Sequence, residues 1–137
     1  MQKEIEQAAG RKVLSMIDVT LDEVKKRQWK KVGVIGYRNA MVYTSRLPDL
    51  GIGFETVSSE LQLRFDAAVM KVMEGRDNME ERLLAMEMIG ALKAKKVDGI
   101  IAGCTEFPLL LNAESPDEDI LNPSKLLAEE AVRYSLQ

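Results

Sequence analysis

A doubly wound α/β domain with a sheet of about four parallel strands is what this 137-residue sequence predicts, as a single domain over residues 1–137. Two patterns carry that expectation. Short, continuous apolar runs, VLSMI, VGVIG and VDGIIAG, are of the kind a sheet covered on both faces requires. Longer segments with apolar residues at helical spacing lie between them, and alternating strands and helices imply right-handed crossovers and a parallel sheet.

Each element has its own signal. Val13–Ile17 reads as the first strand and passes into a helix in which Thr20 and Glu23 have the spacing of a capping box. Val32–Gly36 is the second strand and GFETV, residues 53–57, a weaker third. Ser59 and Gln62 repeat the capping spacing ahead of Leu61, Phe65, Ala68, Val69 and Val72, and Gly75 supplies the stop. Asn78 and Glu81 open the next helix, with Leu84, Met88, Ala91 and Leu92 on one face, before Val97–Gly103 returns as the fourth strand. A polar loop over residues 112–119 then leads to Asn122 and Pro123, which cap and start a last helix carrying Leu127, Ala131 and Tyr134. Met70, Met73, Met79, Met86 and Met88 read as adaptable core or interface filling.

Composition bounds the partners. With 46% hydrophobic and 30% charged residues, the chain has an ordinary folded composition. A net charge of -3 gives no electrostatic footprint for nucleic acid, and Lys25-Lys26 and Lys93 to Lys96 read as solvated helix ends. No apolar run reaches the ~20 residues of a membrane span, and the polar start MQKEIEQAAGRK does not read as a signal peptide. A cytoplasmic location and no membrane partner are expected. One cysteine and no histidine leave neither an intramolecular disulfide nor a usual structural zinc site, so no metal is expected.

That cysteine is the candidate catalytic residue. In parallel α/β sheets ligands bind beyond the carboxyl ends of the strands, which singles out GYRNAM after the second strand and GCTEFP after the fourth. Free cysteines are often inert core residues. Cys104, however, lies at a strand end between Gly103 and the polar pair Thr105 and Glu106. A helix start at Pro108 would aim amides at the thiol and favour the thiolate. Position 110 is Leu110 where a cysteine phosphatase needs arginine, papain-like chemistry lacks its histidine, and GYRNAM is not a phosphate loop. A thiol that carries a proton remains.

DGIIAGCTEFPLLL followed by ILNPSKLLAEEAVRYSL resembles the C-terminal half of the cofactor-independent aspartate/glutamate racemases, and KKVGVIGYRNAMVYTSRL resembles their mid-chain strand and loop. The resemblance implies a flavodoxin-like domain, no cofactor, and a small acidic amino acid as substrate. Such enzymes place one cysteine on each side of the α-carbon, one from each of two similar domains. Cys104 is then the second of the pair, and the chain is expected to begin near the junction between the domains. Thr105 would hold the substrate carboxylate and Glu106 would support the site. Where the family's loop reads Gly-Thr-x-x-Thr, this one reads Gly36-Tyr37-Arg38-Asn39-Ala40, which leaves Arg38 and Asn39 to bind the carboxylate. A homodimer or a complementary racemase half is the expected protein partner, with the last helix packing across the boundary. The alternative is a non-enzymatic binding module, a repurposed, decayed or truncated racemase domain.

Overall fold

The computed structural model describes residues 1–111 and 117–137. Most of the polar loop expected over 112–119 therefore lies outside the described residues. Four parallel strands, β1 (Lys31–Ile35), β2 (Gly53–Glu55), β3 (Gly99–Ala102) and β4 (Ile120–Leu121), form one sheet in the order β2-β1-β3-β4. This is the flavodoxin-like order, whose switch point lies between β1 and β3.

Alternation along the strands divides the core in two. Ile35, Ile100 and Ala102 face α4 (Ser59–Met73) and α5 (Met79–Lys93), where Phe65, Ala68, Leu84, Met88 and Leu92 close the layer. On the other face Val32, Val34, Ile101 and Leu121 meet Leu21 and Val24 of α2 (Met16–Lys26), together with Tyr43 of the short α3 (Met41–Thr44). Leu126 of α6 (Pro123–Ser135) packs against the same layer, and α6 lies along α2. At the base of the sheet the Asp98 carboxylate accepts the backbone N–H groups of Lys30 and Lys31 at 2.7 and 3.0 Å, joining the start of β1 to the turn before β3.

Three of the four expected strands form; the first does not. Val13–Ile17 runs into α2 with Ser15 as its N-cap, whose hydroxyl accepts from the Asp18 N–H at 3.2 Å. Val13–Ile17 pairs with no strand of the sheet, and its last two residues start α2 instead. Thr20 is buried inside α2, its hydroxyl donating to the Met16 carbonyl at 2.8 Å, so Thr20 and Glu23 form no capping box. The fourth strand is instead β4, pairing Ile120 with Ile100 and Leu121 with Ile101. Sequence reading also passed over α1 (Gln2–Ala9), which buries no residue and is tied down by Gln2 Nε2 to the Val13 carbonyl and the Val13 N–H to Glu6.

The later helices follow their signals more closely. Asn78 and Glu81 make the full capping box of α5. The N-cap of α4 is Ser58, one residue earlier than expected, accepting from the Leu61 N–H at 3.3 Å, which frees Gln62 for another role. Gly75 ends α4 with φ +66°, a conformation glycine adopts without strain. Asn122 caps α6 through the N–H groups of Ser124 and Lys125. On α6, Leu127 is half-buried, while Ala131 and Tyr134 face solvent. No helix among the described residues is long and apolar enough to cross a membrane.

Candidate functional site

Two loops meet at the switch point because two glycines and one alanine let them. A Cβ on Gly36 would stand 2.6 Å from the Cβ of Ala40 and 3.3 Å from the Cys104 nitrogen; one on Gly103 would stand 2.5 Å from the same alanine and 3.2 Å from the Ile35 carbonyl. Only a bare backbone fits at both positions. The Gly103 N–H donates to the Ile35 carbonyl at 2.6 Å, so the loop that carries Cys104 is tied to the end of β1.

The first loop is strained. Arg38 (φ 50°, ψ 44°), Asn39 (φ 60°, ψ 19°) and Ala40 (φ 43°, ψ 56°) are three consecutive left-handed residues. Each non-glycine residue there costs about 1–2 kcal/mol, less for asparagine, and such strain persists only where the surroundings enforce it. The enforcing contacts come from α4. Gln62, 7% exposed, donates through Nε2 to the Gly36 carbonyl at 3.0 Å and to Asp66 Oδ1 at 2.7 Å, and Asp66 Oδ1 accepts the Arg38 N–H at 3.1 Å. Gln62 and Asp66 were missed as site-building residues in the sequence. The signal was there: a glutamine one helical turn from an aspartate, on the apolar stripe of α4.

The expected site residues gather around this junction. Cys104 is half-buried at the end of β3 and packs against the layer that holds Phe107. Pro108 starts no long helix; Phe107–Leu110 is a single 3-10 turn, with Phe107 set edge-on to Phe65 at 5.6 Å. Burial pushes the Cys104 thiol above its ordinary value, outweighing the backbone N–H groups of Tyr37 and Phe107, which favour the thiolate; the nearby Glu106 charge adds to the rise and the Glu106 N–H opposes it. The expectation of a readily ionised thiol is therefore corrected: the helix dipole it relied on is one short turn, and desolvation is the larger effect. Thr105 is exposed and its hydroxyl lies 3.1 Å from Oε1 of half-buried Glu106. Arg38 is exposed, its guanidinium 5.3 Å from the centre of the Tyr37 ring. Asn39 is half-buried, and its Oδ1 is a buried acceptor that takes no hydrogen bond among the described residues. No group of three or more His, Cys, Asp or Glu side chains among them is placed to share a metal ion.

Residues 2–131 match the family model for Asp/Glu/Hydantoin racemase. A candidate Asp/Glu racemase from Yersinia pestis aligns over 98% of this chain at 29% identity, with a TM-score of 0.85. An aspartate racemase homologue from Pyrococcus horikoshii aligns over 98% at 17% identity and a TM-score of 0.79, and the aspartate racemase of Picrophilus torridus over 90% at 20% and 0.72; these two share the fold. The chain spans 61% of the length of the first two proteins and 53% of the third.

Proposed function

Because this chain belongs to the Asp/Glu/Hydantoin racemase family, we propose that it is the second-cysteine half of a cofactor-independent amino-acid racemase, with Cys104 as the acid/base for one face of the substrate. The observation that carries this reading is the placement of Cys104 at the β1/β3 switch point, with the amides of Tyr37, Phe107 and Glu106 turned toward its sulfur.

Inverting an α-carbon without a cofactor needs a base on one face and an acid on the other. Burial keeps Cys104 protonated at neutral pH, so it rests as the proton donor; the three amides stabilise the thiolate left when the proton moves. The same group in reverse takes the α-proton from the opposite enantiomer. The other acid/base comes from a complementary racemase half or a second copy. The substrate is a small acidic amino acid, with Thr105 and Arg38 at the rim to meet its carboxylates, the unpaired Asn39 Oδ1 to accept from its ammonium group, and Glu106 supporting the thiol loop.

The test is α-proton exchange in heavy water with each enantiomer of aspartate and glutamate, read by NMR and chiral chromatography. We expect slow exchange of one enantiomer with retention, abolished by Cys104→Ser, and negligible mirror-image product. Robust racemisation that disappears in Cys104→Ser would instead mean that the assembly of this chain supplies its own second acid/base. Binding without exchange would favour the second reading, a binding module without activity, and absence of both would favour a repurposed or truncated domain. The second reading draws on Tyr37 and Ala40 standing where the family's loop carries threonines, and on the protonated resting thiol.

A further inference from the structure

The peptide that joins Gly36 to Tyr37 is held at both ends, by different elements. Its N–H is one of the amides turned toward the Cys104 sulfur. Its carbonyl accepts from Gln62 Nε2 of α4 at 3.0 Å and from the Asn39 N–H at 3.1 Å. The C=O and N–H of a trans peptide point in opposite directions within one plane, so a donor fixed on the carbonyl fixes where the N–H aims.

The next peptide is gripped from the same helix. The Arg38 N–H donates to Asp66 Oδ1 at 3.1 Å, and that oxygen also accepts from Gln62 Nε2 at 2.7 Å. Gln62 and Asp66 are four residues apart in α4, so both side chains leave one helix face. That face holds Tyr37 on both sides, by the carbonyl before it and the N–H after it. Turning either peptide would break one of these bonds.

The grip has work to do. Gly36 has no side chain to resist rotation of the peptide that follows it, and Arg38, Asn39 and Ala40 lie in the left-handed region, which an unheld loop would leave. Polarity acts in the same direction. The Asp66 carboxylate takes one hydrogen of the Gln62 amide and leaves the other for Gly36, and a hydrogen bond to a peptide carbonyl strengthens the N–H of that peptide as a donor.

We infer that Gln62 and Asp66 are positioning residues for Cys104: together they hold the Gly36–Tyr37 peptide with its N–H on the sulfur, and so stabilise the thiolate left when the proton moves. This rests on the reading of Cys104 as an acid/base, while the thiol itself can be measured without substrate. Among charged groups, Glu106 is the one that raises the thiol, and it stays in place in every variant below.

The pH dependence of Cys104 alkylation by iodoacetamide is the test, with circular dichroism as the check on folding. Gln62→Leu should raise the midpoint by about 0.5 pH unit or more, a roughly threefold fall in thiolate at any lower pH, because a donor to the charged sulfur is lost. Asp66→Ala should raise it too. Asp66→Asn, whose amide oxygen still accepts both N–H groups, should keep most of the native value. The sign is diagnostic, since an Asp66 that acted on the sulfur by its charge would lower the midpoint when either substitution removed it. Glu81→Gln, which loosens α5 away from the loop, should leave the midpoint unmoved; an equal rise there would assign the effect to general loss of stability and overturn the inference. So would a folded Gln62→Leu with the native midpoint, or a rise in Asp66→Asn equal to that in Asp66→Ala. If Gln62→Leu does not fold, the two Asp66 variants decide. α-Proton exchange run in parallel keeps the two readings apart: a raised midpoint in a chain that never exchanges supports the positioning and counts against the racemase half, and exchange that persists with an unmoved midpoint does the reverse.

Discussion

The two loops at the switch point start alike and end differently. Each leaves its strand through a glycine with no room for a Cβ: Ala40 of the first loop blocks both, and backbone from across the junction stands close on the other side. Beyond that the first loop is bent into three left-handed residues held by Gln62 and Asp66, whereas the second turns with none and carries the thiol. The division is physical. Strain in the first loop fixes a cradle, and the relaxed second loop presents Cys104 to it. Neither arrangement stands alone, because the Gly103 N–H bonds the carbonyl of Ile35, the residue from which the first loop departs.

Adding one methyl group should break the pairing most severely. Gly103→Ala or Gly36→Ala places a Cβ within 2.6 Å of the Ala40 Cβ and close to backbone on its other side. Overpacking of this kind costs about 3 kcal/mol, read as a lower urea midpoint. If Ala40 is the shared obstacle, Ala40→Gly should recover more than half of either loss, since it removes the obstacle and relieves a left-handed alanine. For Gly103→Ala, equal losses with and without Ala40→Gly would show that the two loops do not bear on each other.

The second loop was legible in the sequence and the first was not. GCTEFP after an apolar run announces a polar site at a strand end by residue type alone. GYRNAM does not announce its shape, because nothing in Arg38 or Ala40 favours positive φ; tertiary contacts impose it. The same reason explains the misplaced strand. VLSMI and the two residues of β4 are both apolar, but Ile120 and Leu121 pair with β3, whereas Val13–Ile17 joins no strand of the sheet and its last two residues open α2. Apolar patterning records which residues want covering, and not which ladder will take them. The capping box of Asn78 and Glu81 was legible because it is complete within four residues.

Gln62 tests the cradle from the helix side. Gln62→Leu keeps the volume but removes the two bonds that tie α4 to the loop, leaving the Gly36 carbonyl only the Asn39 N–H, and each lost bond costs about 1 kcal/mol. Denaturant unfolding would show this as a lower midpoint. A Gln62→Leu protein as stable as the native one would mean that the strained loop does not depend on α4.

Acid should loosen the same wall from its far end. Glu81 caps α5 and pairs with Lys71 at 2.6 Å, and the Lys71 bond and charge, with the Asn78 N–H, hold its carboxyl below the ordinary 4.5. A carboxylate lowered in the folded state stabilises above its unfolded value, and that contribution is lost as pH falls through the folded one. The melting temperature should therefore drop as pH falls below 4.5, and drop less steeply in Glu81→Gln. Parallel curves for the two proteins would remove the Lys71–Glu81 pair from the account.

The smallest expected effect concerns the thiol itself. Desolvation sets Cys104 above its ordinary 9.0, so its alkylation rate should rise with a midpoint on the alkaline side of that value and be slow at neutral pH. Glu106 contributes in two opposed ways, its carboxylate raising the thiol and its backbone N–H lowering it. Glu106→Gln removes the first and keeps the second. The midpoint should then move down while the fold and the loop–loop contacts stay as they are, because the Glu106 carboxylate touches only the exposed Thr105 hydroxyl in the described hydrogen bonding. A midpoint that moves up, or not at all, would mean that the Glu106 charge does not reach the sulfur. Tyr37 offers the matching control from the first loop: it lowers the thiol through its backbone N–H, so Tyr37→Ala should leave the midpoint in place. Together the two variants separate what the second loop does to its own thiol by charge from what the first loop does to it by backbone alone.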